Sequence, residues 1–224
     1  MPERPVPVTG GVTQRNKIGF VTGLAAEARL LRRSGFRVEI GGGEPDGAYR
    51  AAEALLAQGV HALVSFGLAG GLARELAPGA VVVPDAVIDG VRTYPCDYAL
   101  MEFLGGCTHR PLLAGRKIAA SAGDKALLYR RVRTDAIDLE SGAVARAAAA
   151  RGVPFAVLRA IADPATRNLP PAALIPMKPG GGIDLAGILR SVLRHPGQVP
   201  GLIALGRDAN KARKALIARL HRLG

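Results

Sequence analysis

Hydrophobic residues along this chain fall into two recurring patterns. Short continuous apolar runs bounded by turn residues predict buried strands, and segments in which apolar positions recur every three or four residues predict helices. The predicted strands cover residues 17–23, 36–40, 60–67, 79–89 (broken or bent at Pro84), 116–123, 135–138 and 154–162. The predicted helices cover residues 24–33, 48–58, 124–132, 140–152, 184–195 and 200–222. This alternation predicts an α/β fold, a three-layer αβα sandwich whose mixed, mostly parallel central sheet is covered on both faces.

The length of 224 residues suits a single domain. We expect that domain to cover residues 17–224, after a loose leader of residues 1–16 that lacks the apolar core of a signal peptide. The Pro/Gly-rich segment 164–183 is predicted to be a loop beside the active site, because long ordered loops usually carry function. Residues 184–224 predict a C-terminal tail of basic amphipathic helices.

Composition narrows the class of protein. Hydrophobic residues make up 49% of the chain but aromatic residues only 4%, so Ala, Val, Leu and Ile must build the core. Cys96 and Cys107 form no disulfide framework, which favours the reducing cytoplasm, and no segment is long and apolar enough to span a bilayer. The sequence contains no dinucleotide or P-loop glycine motif, and its four histidines lack the spacing of metal ligands. We therefore expect no cofactor, no metal site and no histidine-based triad.

The net charge of +12 is unevenly distributed along the chain. Residues 178–224 hold nine Lys/Arg against two Asp, a net charge of +7, in a segment that also contains many leucines. Nucleic-acid binding is not expected, because the basic residues are not interleaved with stacking aromatic residues. Two interpretations of the tail stay open: helices docked on the sheet with solvated basic faces, or a basic amphipathic surface that contacts a membrane.

Three acidic residues stand where predicted strands end. Glu27 follows the first strand, Glu140 opens a helix directly after a short strand, and Asp163 follows the last strand. Because ligands bind outside the carboxyl ends of strands in open α/β sheets, the three acids together predict a site at one sheet edge. Structural interpretations are also open: Glu27 and Glu140 suit a helix dipole, Asp138 suits an N-cap, and Asp163 before Pro164 suits a turn.

The order of these segments resembles the superfamily of purine nucleoside phosphorylases and methylthioadenosine/S-adenosylhomocysteine nucleosidases. The resemblance runs from residue 17 to about residue 165 and rests on IGFVTGLAAEARLL (18–31), SFGLAGGLARELAPGAVVVPDAVI (65–88), SAGDKALL (121–128), IDLESGAVARAA (137–148) and PFAVLRAIAD (154–163). The tail segment LRSVLRHPGQVPGLIALGRDANKARKAL is similar to the C-terminus of the hopanoid-associated members, which are thought to remove adenine from adenosylhopane, a lipid-linked nucleoside. The resemblance implies a nucleoside phosphorylase-like fold, an adenine nucleoside as the small-molecule partner, and a homodimer.

The resemblance also implies roles for the acids. The family's residue at the position of Asp163 acts on the purine N7, so that the base leaves as a neutral molecule. That role requires a carboxyl group whose pKa is raised by a dry site. The residue at the position of Glu140 accepts hydrogen bonds from the ribose 2′- and 3′-hydroxyls, and Leu139 is expected to pack under the sugar.

The residue at position 27 distinguishes two reactions within the superfamily. In the nucleosidases a glutamate at this position activates water, whereas in the phosphorylases an arginine binds phosphate. Glu27 would repel a phosphate dianion and suits a general base, so the sequence favours hydrolysis. Phosphorolysis to a ribose-1-phosphate product stays open as an alternative, because Arg29, Arg92 or Arg159 could reach a phosphate.

The sequence departs from the nucleosidase pattern near the base. The nucleosidases have a stacking aromatic residue at the position of Ala126, for which Leu127 or Phe155 is a candidate replacement. Asp124 is a candidate for the edge of the base, although an N-cap is an equal interpretation. The other residues predicted to border the substrate are Leu68 and Gly70.

These expectations describe a cytoplasmic enzyme, peripheral at the inner face of the membrane if the tail contacts lipid. The reaction expected is cleavage of the N-ribosidic bond of adenosylhopane or another 5′-substituted adenosine, with release of adenine. The missing aromatic residue and the basic tail leave a second hypothesis, a non-catalytic module that binds a nucleoside or a lipid surface.

Overall fold

Within residues 15–108, 110–178 and 180–223, which the computed structural model describes, nine strands form one mixed sheet. The strands are β1 (Ile18–Thr22), β2 (Arg37–Ile40), β3 (Ala62–Gly71), β4 (Val81–Val82), β5 (Ala86–Asp89), β6 (Arg92–Pro95), β7 (Leu112–Ala114), β8 (Ala136–Asp138) and β9 (Phe155–Asp163). Their main order is β2-β1-β3-β8-β7-β5-β6, and β9 pairs with both β3 and β4. Five of these strand pairs are parallel and three are antiparallel, so the predicted mostly parallel mixed sheet is confirmed.

Helices flank this sheet, which confirms the predicted α/β sandwich with a C-terminal helical tail. The helices are α1 (Ala25–Arg33), α2 (Pro45–Ala57), α3 (Tyr98–Phe103), α4 (Ala122–Val132), α5 (Ser141–Arg151), α6 (Leu185–Arg194) and α7 (Val199–Leu220). Helix α5 packs against α2, and α7 packs against β9 and β3. The apolar runs of β1, β3 and β9 are buried because helices cover them.

Small aliphatic side chains build most of the interior, as the composition requires. Helix α5 carries an almost unbroken series of buried Gly, Ala and Val residues, which lets it approach its neighbours closely. Among the few aromatic residues, Phe20 packs against Phe36 and Phe66 with ring centroids 4.5 and 6.0 Å apart. The core is therefore aliphatic, with one small aromatic group at its β1 side.

Strand β3 changes partner along its length, and this positions the site. It runs parallel to β9 from Leu63 to Ala69, where a bulge shifts the register so that Gly70 pairs with Asp163. Gly70 and Gly71 also pair with β8 in the antiparallel direction. A bulge bends a strand and re-aims its end. The ends of β8 and β9 thereby meet at the same edge of the sheet as the end of β1.

The predicted strand over residues 116–123 is wrong. Helix α4 begins at Ala122 behind a capping box, in which the Ser121 hydroxyl accepts the N–H of Asp124 at 3.0 Å and the Asp124 carboxylate accepts the N–H of Ser121 at 3.3 Å. Such a box is a strong signal for a helix start and overrides the short apolar run before it. Ile118, in that run, is 45% exposed. The strand nearest to this segment is β7. The hydrophobic pattern predicts none of the three elements β6, α3 and β7.

Pro84 separates β4 from β5, so the break predicted within 79–89 is confirmed. Most of the predicted leader, residues 1–14, lies outside the described residues. Its last two residues, Arg15 and Asn16, belong to a short 3₁₀ helix, and the Arg15 guanidinium donates to the carbonyl of Leu223 at 3.2 Å.

Both predicted tail helices exist, but they differ in what covers them. Helix α7 buries Asp208, Ala212, Leu216 and Leu220. Helix α6 has no buried residue. No helix in the described ranges has both the length and the apolar composition needed to cross a membrane.

Candidate active site

A cavity of about 300 Å³ opens at the edge of the sheet where β1, β8 and β9 end. Its lining includes Glu27, Glu140 and Asp163, the three acids that the sequence predicts to share a site. Each is at least nine-tenths buried. The predicted neighbours that also line the cavity are Leu68, Gly70 and Leu139. A volume of this size lies at the lower end of the range for small-molecule pockets.

Glu27 is held in the first turn of α1 by the end of β1. The Thr22 hydroxyl donates to Glu27 Oε2, and Oε1 has no hydrogen-bond partner among the described residues. Burial raises the pKa of Glu27, and the Thr22 hydrogen bond and the charge of Arg159 offset part of that rise. A carboxylate whose conjugate acid is weaker than usual is a better general base.

Glu140 enters the cavity from the junction of β8 and α5. The backbone N–H of Gly43 donates to its Oε1 at 3.1 Å, and Nη2 of Arg159 lies 3.5 Å from its Oε2. Burial raises the pKa of Glu140 to about 7, with Arg159 lowering it and the charges of Asp138 and Glu27 raising it further. Glu140 stands at the N-cap position of α5 but makes no capping hydrogen bond. Because an ionised carboxylate offers about four acceptor sites, Glu140 keeps positions for a ligand beside these two contacts.

Asp138 supplies the cap that Glu140 does not. Its Oδ1 accepts the N–H of Ser141, the first residue of α5, at 3.1 Å, and the Ser141 hydroxyl donates to its Oδ2. Asp138 therefore caps the start of α5 by its side chain, although the N-cap position itself is Glu140, and it also forms an ion pair with Arg159.

Asp163 ends β9 and is paired with a lysine. Nζ of Lys125 lies 2.6 Å from Asp163 Oδ2, and Oδ1 has no hydrogen-bond partner among the described residues. Burial raises the pKa of Asp163, and the hydrogen bond and charge of Lys125 offset part of that rise. The carboxyl group thus meets the condition of a raised pKa that a general acid requires.

Arg159 forms the buried base of the cavity. It is 1% exposed, its Nε lies 2.6 Å from Asp138 Oδ2, and its Nη2 donates to the Ser65 hydroxyl at 2.7 Å. Gly67 makes room for it, since a Cβ at Gly67 would lie 2.6 Å from Arg159 Nη1. An arginine inside the apolar run FAVLRAIAD signals buried acidic partners, because a buried charge must be paired.

The three arginines proposed as alternative phosphate ligands therefore have different positions. Arg29 and Arg92 are exposed and do not line the cavity. Arg159 lines it, but it is already engaged by Asp138 and Glu140.

Three residues predicted to border the base do not line the cavity. Phe155 begins β9, at the opposite end of that strand from Asp163, and belongs to the hydrophobic core. Leu127 is 48% exposed on α4. Asp124 is the N3 residue of the capping box of α4, whose N-cap is Ser121, so it caps the helix start but is not the N-cap itself. The two ends of a nine-residue strand lie roughly 26 Å apart along the strand, so residues of one sequence segment need not reach the same site.

The residues that sequence reasoning missed lie mainly in irregular segments. Lys125, Ile118, Leu169 and Met177 line the cavity together with Leu24. No aromatic ring is among the described residues that line it. Loop residues carry no periodicity, and only the buried Lys125, within the segment SAGDKALL, offers a signal in the form of a charge beside a predicted site.

No group of three or more His, Cys, Asp or Glu side chains within the described ranges is arranged to hold a metal ion. One of the four histidines, His109, lies outside those ranges.

A family model of the phosphorylase superfamily matches residues 12–112 and 105–175. No curated protein matches the sequence significantly. An S-adenosylhomocysteine nucleosidase from Streptococcus pyogenes, in complex with 5-methylthiotubericidin, is similar with a TM-score of 0.64 and 17% identity over 96% of this chain and 100% of that chain.

Two further solved structures have the same fold. The methylthioadenosine/S-adenosylhomocysteine nucleosidase of S. pneumoniae with the transition-state inhibitor MT-ImmA has a TM-score of 0.62 and 15% identity, covering 91% of this chain and 97% of that chain. The futalosine hydrolase of Helicobacter pylori has a TM-score of 0.64 and 16% identity, covering 93% and 98%. These likenesses establish the fold. Since the family match covers well over half of the 224 residues, the chain belongs to the phosphorylase superfamily, the enzyme superfamily that its sequence resembles.

Proposed function

We propose that the protein hydrolyses the N-ribosidic bond of an adenine nucleoside and releases adenine. The observation that carries this proposal is the convergence of Glu27, Glu140 and Asp163 on one cavity, each buried and each with a raised pKa. Raised pKa values in a cleft are typical of catalytic acids and bases. The solved nucleosidases and the futalosine hydrolase with the same fold agree with this reaction class.

Each acid has a distinct part in the proposed reaction. Protonated Asp163 donates its proton to the purine N7 while the bond from C1′ to the base breaks, so that the base leaves neutral and the sugar becomes an oxocarbenium ion. Ionised Glu140 accepts hydrogen bonds from the ribose 2′- and 3′-hydroxyls. Ionised Glu27 takes a proton from the water that attacks C1′. Leu139 and Leu68 contribute apolar surface beside the sugar and the base.

The charges around the cavity favour water over phosphate as the nucleophile. Two buried cations, Lys125 and Arg159, line the cavity, and both are already ion-paired with carboxylates. Lys117 lines the mouth but is exposed to solvent, where a single charge binds phosphate weakly. Glu27, facing the same space, would repel a phosphate dianion.

The test is release of free adenine from 5′-methylthioadenosine and other 5′-substituted adenosines, with and without phosphate. We expect adenine to be released in the absence of phosphate, together with a 5′-substituted ribose. We expect Asp163→Asn and Glu27→Gln each to lower kcat by ~10²–10⁴-fold. Glu53→Gln, which changes an acid paired with Arg151 on the surface, is the matched control and should leave kcat unchanged.

Three other outcomes would each reject the proposal in a different way. Release that requires phosphate, with a ribose-1-phosphate product, would establish the phosphorylase alternative. Nucleoside binding without turnover would establish the non-catalytic module, which the absence of a stacking ring among the described lining residues favours. Unchanged release by Asp163→Asn would remove Asp163 from its assigned role.

We further infer that the substrate is a lipid-linked 5′-substituted adenosine, such as adenosylhopane, reached at a membrane surface. Leu185, Leu189 and Leu193 form one face of α6 and are 72, 60 and 75% exposed. Arg190 and Arg194 on the same helix are exposed as well. A basic helix with an uncovered leucine face fits an anionic bilayer surface.

The position of α6 connects this leucine face to the cavity. Helix α6 packs against the 3₁₀ helix Pro171–Leu174, and a Cβ at Gly187 would lie 3.3 Å from the side chain of Ile175. The same segment carries Leu169 and Met177, which line the cavity. A lipid chain attached to the nucleoside would therefore leave the cavity beside a surface that suits lipid. Most of helix α7 is not part of this surface, because Ala212, Leu216 and Leu220 are buried where the helix packs against β9 and β3.

Co-sedimentation with vesicles tests this surface. We expect the protein to bind vesicles that contain anionic lipid and not purely zwitterionic ones, and the triple variant Leu185→Ser, Leu189→Ser, Leu193→Ser to lose binding at least ~10-fold. Val91→Ser, at a fully exposed site on the β5–β6 turn, is the control and should bind as before. Equal binding by the triple variant would exclude α6 as the contact. A cytoplasmic location at the inner membrane face follows from the inference, and a homodimer stays a prediction of the resemblance.

A further inference from the structure

Lys125 is a fully buried lysine whose ammonium group has an acceptor for each of its three protons. Its side chain extends from α4 and is 0% exposed. Nζ lies 2.6 Å from Asp163 Oδ2 and donates to the carbonyl oxygens of Pro164 at 3.0 Å and Arg167 at 2.9 Å. An ammonium group has three protons, and three acceptors surround this one. Lys125 therefore has no donor left for a phosphate or any other ligand.

Lys125 is also the cation nearest to Asp163 among the described residues. The other charged groups that face Asp163 are Arg167, in the segment after β9, and Asp208, on α7. These two pair with each other, with Arg167 Nη2 2.7 Å from Asp208 Oδ2. Their opposite charges largely cancel at Asp163. The direct contact with Lys125 is thus the main interaction that opposes the effect of burial.

The contact distinguishes the two oxygens of the carboxyl group. Oδ2 is taken by Lys125, whereas Oδ1 is buried and has no hydrogen-bond partner among the described residues, in a side chain that lines the cavity. An unpaired buried polar atom is costly, and protonation of the carboxyl group lowers that cost because it removes the charge. The geometry points to Lys125 as a positioning residue, which holds Asp163 by Oδ2 and so fixes the carboxyl group at the wall of the cavity where it gives its proton to the base. This inference rests on the proposed function.

The charge of Lys125 has a chemical consequence for that proton transfer. As the bond from the Asp163 carboxyl oxygen to its proton breaks and the bond from N7 to that proton forms, the electron pair stays on the carboxylate. The new negative charge is shared by both oxygens, one of which contacts the ammonium group. Lys125 thus stabilises Asp163 after proton donation more than before it, which makes Asp163 a stronger acid than burial alone would allow.

A structural role for Lys125 predicts different behaviour. If Lys125 only anchors the turn at Pro164 and Arg167, a neutral side chain that keeps hydrogen-bond donors should replace it. Lys125→Gln is that variant, since its amide retains donors but carries no charge. Lys125→Arg keeps the charge, and Asp163→Asn removes the group on which the charge acts.

The experiment measures the pKa of Asp163 by ¹³C-carboxyl NMR titration, with the resonance identified by its loss in Asp163→Asn. We expect Lys125→Gln to raise that pKa by about 1–3 units and Lys125→Arg to keep it near the wild-type value. Activity with a soluble nucleoside should agree with the titration. In Lys125→Gln the alkaline limb of the pH profile should shift to higher pH, and kcat should fall at least ~10-fold with a smaller change in KM. Within an Asp163→Asn background, Lys125→Gln should cause no further loss of kcat.

An unchanged pKa of Asp163 in Lys125→Gln would overturn the inference. If the single variant Lys125→Gln does not fold, the double variant with Asp163→Asn is used, because it removes both buried charges. A double variant that folds where the single variant does not would support the coupling. Failure of both variants to fold would assign Lys125 to the turn only. A wild-type protein that releases no adenine would reject the proposed function, while the NMR titration would still decide whether Lys125 controls Asp163.

Discussion

The Nε of Arg159 lies 2.6 Å from Oδ2 of Asp138, and both side chains are almost completely buried. This pair joins the middle of β9 to the junction of β8 and α5. The same junction carries Glu140, and the end of β9 carries Asp163. The acid proposed for the sugar and the acid proposed for the base are therefore held in a fixed relation by one buried ion pair.

The Asp138–Arg159 pair should matter greatly for stability. We expect Asp138→Asn to lower the free energy of unfolding by about 3–5 kcal/mol, because it removes the closest anionic partner of the buried Arg159 and leaves only the longer contact with Glu140. Urea unfolding followed by circular dichroism measures the effect. Glu53→Gln breaks the surface pair with Arg151, whose nitrogen lies 2.8 Å from the Glu53 carboxylate, and should cost less than ~1 kcal/mol. Equal effects of the two variants would contradict the importance of the buried pair.

Glu140 should lower the stability of the folded protein at the pH values at which it is ionised and binds the ribose hydroxyls. Its pKa rises from 4.5 to about 7 on folding, so the folded state holds the proton more tightly and loses stability as pH rises from 4.5 through 7. We expect Glu140→Gln to be more stable than wild type at pH 8 by up to about 3 kcal/mol, with the difference shrinking towards pH 5. Thermal unfolding at the two pH values measures it. A Glu140→Gln protein less stable than wild type at pH 8 would disprove this sign.

The same substitution should weaken nucleoside binding. A neutral amide accepts only through one oxygen, so Glu140→Gln loses a charge-assisted hydrogen bond to one hydroxyl of the ribose, and we expect Kd to rise at least ~10-fold. Titration calorimetry with 5′-methylthioadenosine measures it, and the 2′-deoxy analogue should bind wild type and variant more equally. Gains in stability at the expense of binding are typical of functional sites.

Activity should be highest in a limited pH range. The proposed reaction needs Glu27 and Glu140 ionised and Asp163 protonated. Since burial raises the pKa of Glu140 to about 7, kcat/KM should fall as pH drops below about 7. It should also fall as rising pH ionises Asp163, whose pKa burial raises above its ordinary value. A profile of kcat/KM between pH 5 and 9 measures both limbs, and activity that rises steadily below pH 6 would be inconsistent with an ionised Glu140.

Gly67 should tolerate no side chain. Its φ is +148°, and an added Cβ would lie 2.6 Å from Arg159 Nη1 and 3.1 Å from Glu27 Oε2. We expect Gly67→Ala to lower the free energy of unfolding by about 1–3 kcal/mol and to impair activity by displacing both charged groups. Gly206→Ala, in α7 with open space around it, should instead stabilise the protein by about 0.5–1 kcal/mol. Unfolding of both variants in urea gives the comparison.

Much of the fold follows from local patterns in the sequence. The apolar runs that became β1, β3 and β9 need helices on both faces, and Gly152 ends α5 in the left-handed conformation that glycine adopts readily. These short-range signals also mark where strands end, so they indicate that Glu27, Glu140 and Asp163 share an edge. Resemblance at the level of ordered segments indicates the superfamily, and the family match confirms it. The strand expected at 116–123 failed where the capping signal of Ser121 competed with a short apolar run.

Which other side chains join the three acids at the cavity, and which predicted ones do not, was decided by tertiary structure. Phe155 and Asp163 belong to one strand, yet only Asp163 reaches the cavity, because the two residues lie at opposite ends of β9. Lys125 reaches Asp163 across 38 positions of the chain, and the bulge in β3 places Gly70 opposite Asp163. Local sequence determines strands, helices and caps because their energies depend on neighbours a few residues away. The partner of a buried charge depends on distant segments, and only folding brings those segments together.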